Sequence, residues 1–209
     1  DHIARQVARY SGLSVEFVLR CDLRPNEWRF FKELLRNRGR TVGRLDSRFL
    51  GLDRDDAGEK PDDDPAMTNL VGAYAAGINR VLKEGLKFDS DAPYVVHAPI
   101  WDKWAWKDFA NRYANVGESL RRAMHANPHM RVYVASGYYD LGTPHAAGDY
   151  TVRHLGLRES LQANVAVSYF EAGHMMYIHQ PSLARMAKEL KAFVAPDGAV
   201  PAGNGRRPR

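Results

Sequence analysis

The chain has 209 residues, 44% of them hydrophobic, which is enough for one sizeable core. Basic residues outnumber acidic ones for a net charge of +5, yet no basic stretch is interleaved with aromatics, so no nucleic-acid partner is expected. The single Cys21 excludes an internal disulfide scaffold and a multi-cysteine zinc site, and no apolar run approaches the roughly 20 residues of a membrane span, so no membrane partner is expected either.

The opening "DHIARQVARYSGL" begins inside an amphipathic pattern, with Ile3, Val7 and Tyr10 on one predicted face; the chain reads as if cut from something longer. "NEWRFFKELLRNRG" predicts a helix capped by Asn26 and stopped at Gly39, with Trp28, Phe31, Leu34 and Leu35 on its apolar side. In "GRLDSR", Asp46 is expected to pair with Arg48 or Arg44 and hold a loop. In the acidic "GLDRDDAGEKPDDD", Asp53, Asp55, Gly58 and Asp64 fall at positions one, three, six and twelve of a calcium loop. Ala57 at the fifth position, Pro61 and the missing final glutamate spoil that pattern, so a solvated acidic turn is expected instead.

"DPAMTNLVGAYAAGINRVLKEG" is the clearest helix. Asp64 caps it, Pro65 takes its first position, and Met67, Leu70, Val71, Tyr74, Ile78, Val81 and Leu82 form the stripe. In "IWDKWAWKDF", Trp101, Trp104 and Trp106 are expected to pack between a cap and a core rather than stack on a ligand. Residues 1 to about 105 thus read as a helical segment.

Beyond that point the grammar changes. "RVYVAS" at 131–136 and "VAVSYF" at 165–170 are short, buried-type β runs. Each leads through a sharp loop into a helix opening near a proline, Pro144 and then Pro181. The last helix carries Leu183, Met186, Ala187, Leu190, Phe193 and Val194 along one side, and residues 195–209 read as a disordered tail. Alternating strand and helix predicts an α/β fold with parallel strands.

In open α/β sheets, working residues sit in loops at the carboxyl ends of strands. The first run delivers Asp140 in "GYYDLGTP" and the second delivers His174 in "EAGHMMYIHQP", 34 residues later. Adjacent parallel strands would set the carboxylate beside the imidazole, where it fixes the tautomer and readies the other ring nitrogen as a base. The plainer reading is a structural histidine and an aspartate that serves as a turn or cap residue.

These two motifs, within "NPHMRVYVASGYYDLGTPHAAGDYTVRHLGL" and "VSYFEAGHMMYIHQPSLARMAKELKAFV", resemble the carboxyl-terminal part of the serine carboxypeptidase family, in its bacterial carboxypeptidase-like branch. "KELLRNRGRTVGRLDSRFLGLDRD" is similar to that branch's segment between the nucleophile region and the acid strand. The resemblance implies the carboxyl-terminal part of an α/β-hydrolase fold, with a helical insertion or lid in residues 1–105 and the core in 106–194. It implies removal of carboxyl-terminal residues from peptide substrates through an acyl-enzyme, with Asp140 as triad acid, His174 as general base and Met175 lining the pocket of the departing residue. It also implies a periplasmic or secreted location.

The nucleophile is missing from the pattern. No stretch matches G-x-S-x-G, whose strained turn needs a preceding strand and small residues around the serine. In "VGESLRRAM", Ser119 lies between Asn115 and Arg121 and inside a helical repeat of Val116, Leu120, Ala123 and Met124. The chain alone is therefore expected to be inactive, its partner being an amino-terminal portion of the same enzyme that carries the nucleophile. Two other readings stand: ester hydrolysis or acyl transfer on the same triad, and a non-catalytic hydrolase-like binding module. Glu171, His174 and His179 form E-x-x-H-x-x-x-x-H, but Gly173 and the strand-loop context argue against the helix that i, i+3 or i, i+4 ligand pairs need. The two histidines are five residues apart on a loop, so neither a metal nor a cofactor is expected.

Overall fold

The computed structural model describes residues 2–195, so the tail expected to be disordered lies, beyond Ala195, outside the described residues. The chain is a mixed helix-and-sheet protein that divides into two compact units, Asp1–Val96 and His97–Arg209. Among the described residues, no helix is long and apolar enough to cross a membrane.

The first unit opens with α1 (His2–Ser11) and α2 (Val15–Arg20), the latter capped by Ser14, whose hydroxyl accepts the Phe17 N–H at 3.1 Å. Ala4 and Ala8, with Leu13 and Val18, form the buried contact, while Ile3 and Tyr10 are 60% and 80% exposed. The face expected from the sequence is therefore rotated by one residue. The helices meet through small alanines, which permit a close approach; of the expected face Val7 packs partly buried against this contact, and Ile3 and Tyr10 are left outside.

Asn26 caps α3 (Glu27–Glu33) as expected, accepting the Arg29 N–H at 2.9 Å. Gly39 does not end this helix directly. It closes a separate 3-10 turn at Arg36–Arg38, in the left-handed conformation at φ 59° that suits glycine. A short antiparallel ribbon follows, β1 (Thr41–Val42) on β2 (Leu50–Gly51), which the sequence reading did not contain. Its connecting loop is held by buried Asp46, which accepts from Arg48 Nε at 2.9 Å and Nη2 at 2.7 Å.

The acidic loop is largely exposed, as expected of a solvated turn, but the Asp53 side chain within it is buried. Lys32 Nζ reaches in from α3 to Asp53 Oδ2 at 2.5 Å and to the Asp55 carbonyl at 2.6 Å. One carboxylate of the loop, that of Asp53, is thus paired with a buried ammonium, while Asp55, Asp56, Glu59, Asp62 and Asp63 stay exposed. Asp64 then caps α4 (Pro65–Arg80), and its two oxygens also take the Arg44 and Leu45 N–H groups, tying ribbon loop to helix start. Only Pro65 and Ala66 of this helix are buried; of the expected apolar stripe, Met67, Leu70, Val71, Ile78 and Leu82 are half-buried, whereas Tyr74, and Val81 just past the helix, are 40% and 53% exposed.

In the second unit, Trp101, Trp104 and Trp106 are each more than half exposed, so the expected packing between cap and core does not occur. Trp104 and Trp106 stack on each other instead, and Trp101 lies against His97. After α5 (Gly117–Ala126), β3 (Val132–Gly137) and β4 (Val165–Phe170) pair in parallel, Val132 opposite Val165 through Gly137 opposite Phe170. The crossover between them contains α6 (His145–Arg153) and α7 (Glu159–Gln162).

Strand alternation sorts the side chains onto two faces. Tyr133, Ala135 and Phe170 meet α8 (Gln180–Val194) through Phe193 and Met186. Tyr169, on the opposite face, donates its hydroxyl to Asp149 of α6. The two strands are therefore sandwiched by helices. Within α8 the buried side runs through Ser182, Leu183, Met186, Leu190 and Phe193, whereas Ala187 and Val194 of the expected stripe are exposed. Phe170 is fully buried, a contribution of roughly 2–3 kcal/mol from its apolar surface.

Candidate active site

The strands decide where the chemistry-bearing loops lie. Because β3 and β4 are parallel neighbours in register, both chains leave the sheet at the same end. The segment after β3 is stitched to the segment after β4 by backbone bonds, Tyr138 N–H to the Phe170 carbonyl at 2.9 Å and Tyr139 N–H to the Ala172 carbonyl at 3.1 Å. Gly137 makes this possible. A Cβ there would stand 2.3 Å from the Gly173 carbonyl oxygen and 2.5 Å from that of Ala172.

Out of this junction come Asp140 and His174. His174 Nδ1 lies 2.8 Å from Asp140 Oδ2, across 34 residues of sequence. Asp140 is buried, while the His174 side chain is 45% exposed. The other carboxylate oxygen, Oδ1, accepts the N–H groups of Gly142 and Thr143, both at 2.8 Å. Thr143 Oγ1 donates to Oδ2 at 2.6 Å and lies 3.1 Å from His174 Nδ1. Thus Asp140 is both the turn residue of "DLGT" and the partner of the imidazole, one role on each oxygen.

Burial of Asp140 disfavours its charge, but hydrogen bonds from the Thr143 hydroxyl and N–H, then the bond and charge of His174, outweigh it and hold the carboxyl below its usual range. A carboxylate offers no proton, so Nδ1 must donate. The second ring nitrogen, Nε2, then carries the lone pair and has no hydrogen-bond partner among the described residues. Chemically the arrangement is an oriented base with an exposed edge.

Met175 follows the histidine and is half-buried, whereas Met176 goes into the core with Phe170 and Ala172. His179 occupies the position before α8, its Nδ1 2.8 Å from the Ser182 hydroxyl. Among the described residues, no group of three His, Cys, Asp or Glu side chains is placed to hold a metal ion. Ser119 lies exposed in the first turn of α5, with no strand entering it. That is helix surface, not a strained elbow.

Sequence reasoning found Asp140 and His174 and missed Thr143 and Gly137. The first had a readable signal, since an aspartate two and three residues before Gly-Thr is an Asx-turn pattern. The second had none, because the clash that requires glycine comes from carbonyls 35 and 36 residues away. No protein-family model, curated protein or solved structure matches this chain.

Proposed function

We propose that this chain is the acid-and-base part of a serine carboxypeptidase-like hydrolase of α/β-hydrolase fold, which removes carboxyl-terminal residues from peptides through an acyl-enzyme. The observation that carries the reading is the 2.8 Å contact between His174 Nδ1 and buried Asp140, at the shared end of two parallel strands. The resemblance of the two motifs that carry these residues also supports it.

In this mechanism a serine hydroxyl attacks the scissile carbonyl while its proton passes to His174 Nε2. The resulting imidazolium is stabilised by Asp140, which stays ionised. His174 then gives the proton to the departing amine, and water repeats the cycle on the acyl-enzyme. Met175 walls the pocket of the departing residue. The serine comes from an amino-terminal portion of the same enzyme outside these 209 residues, because Ser119 sits on a helix and no other serine lies in an elbow sequence. The residues identified here need no metal or cofactor for this chemistry, and a periplasmic or secreted location follows from the resemblance.

The test is labelling with a fluorophosphonate, together with peptidase assays on the complete protein. The chain by itself is expected to stay unlabelled, and the complete protein to be labelled on a serine outside it. His174→Ala in the complete protein should abolish carboxypeptidase turnover while the fold is retained. Stoichiometric labelling of this chain alone, or unchanged turnover in His174→Ala, overturns the reading.

A further inference from the structure

The Asp140 carboxylate has four donors around it, and three of them are accounted for by an aspartate turn and a histidine. The fourth is the Thr143 hydroxyl. It lies 2.6 Å from Asp140 Oδ2, the same oxygen that receives His174, and 3.1 Å from His174 Nδ1. Its single proton goes to the carboxylate, which has none to offer. The lone pairs of Oγ1 then face the Nδ1–H, so that one imidazole N–H meets two acceptors, a carboxylate oxygen and a hydroxyl oxygen.

One acceptor favours the proton on the facing nitrogen but leaves the ring free to rock about the contact, and each excursion lets solvent exchange the proton between the two nitrogens. Two acceptors on different atoms restrict that rotation as well. Exposure makes the second one matter: the His174 side chain is 45% exposed, so little packing holds the ring. We propose that Thr143 is a positioning residue, whose hydroxyl is held by Asp140 and serves as the second acceptor that fixes the tautomer and orientation of the His174 ring. The proposal deepens the hydrolase reading and rests on it for its consequence in catalysis, but the positioning itself is measurable without turnover.

The two are separated by measuring both. Imidazole nitrogens are observed by NMR in the full chain labelled with 15N-histidine, with His174→Gln used to assign the signal. The wild type should show one tautomer, protonated at Nδ1. Thr143→Val keeps the β-branch and the backbone N–H but loses the hydroxyl, and its His174 signals should move toward the average of two tautomers. Thr143→Ser should restore the wild-type pattern. In the complete enzyme, Thr143→Val should lower kcat roughly tenfold to a hundredfold, as for losing a hydrogen bond within a charged network, with KM changed far less.

A wild-type His174 spectrum in Thr143→Val overturns the proposal. Should that variant not fold, Thr143→Ser decides instead, since a folded serine variant with averaged tautomers overturns it equally. If the spectra behave as stated but the complete protein has no serine-dependent turnover, the hydrolase reading fails and the positioning role stands.

Discussion

A methyl group at Gly137 would stand 2.3 Å from the carbonyl oxygen of Gly173, well inside any tolerated contact, so strand β3 and the histidine loop touch backbone to backbone. The neighbours are main-chain atoms that cannot rotate away. Gly137→Ala should therefore push the two loops apart, costing about 1–3 kcal/mol as other overpacked positions do. Urea denaturation measures the cost, and NMR of His174 should report loss of its Asp140 contact. A variant of wild-type stability with an intact contact would contradict the fit described.

Asp140 makes stability depend on acid in a definite direction. Its folded carboxyl lies below the usual 3.8: burial opposes its charge, but hydrogen bonds from Thr143 and His174 outweigh that burial. A depressed carboxyl stabilises the fold above its unfolded value, and that contribution disappears as pH falls through the folded value. Asp140→Asn should be less stable than wild type near neutral pH, with the gap closing below about pH 4. Paired denaturation curves across that range check it; a gap that widens in acid would refute the assignment.

Lys32 and Asp53 form an ion pair whose side chains are only 4% and 5% exposed. Removing one partner leaves the other charged and buried, a loss of about 3–5 kcal/mol. Lys32→Met should therefore be strongly destabilising, and adding Asp53→Leu should recover much of the loss. Chemical denaturation of the two single variants and the double variant reads the coupling directly.

Asp64 serves three backbone donors at once, the N–H groups of Ala66, Arg44 and Leu45. Asp64→Ala should cost about 2 kcal/mol, the upper end for a helix cap, because the ribbon loop loses its anchor together with α4. Asp64→Asn has one acceptor oxygen instead of two and should fall between. Thermal melts of the three proteins rank them.

Much of the local structure was legible because its causes are local. Asn26 and Asp64 cap their helices through bonds to residues two or three positions on, and the β-rich runs at 131–136 and 165–170 became β3 and β4 within a residue of their bounds. Helix facing was less legible. In α1 the alanines are buried and Ile3 and Tyr10 face out, since which side is covered depends on what α2 presents. In the acidic loop most charges are exposed as expected, and Asp53 is the exception for the same reason: Lys32, 21 residues earlier, meets it in a buried pair.

For the site, the sequence by itself determined that an aspartate and a histidine each follow a strand, and that no serine stands in an elbow pattern. Only the tertiary structure decided that the strands are neighbours in register, that Asp140 turns one oxygen to its own loop and the other to His174, and that Thr143 completes the contact. The physical reason is range. Caps, turns and strand propensity act over a few residues, whereas the 2.8 Å contact joins atoms 34 residues apart and exists only once the sheet has set both loops at one end.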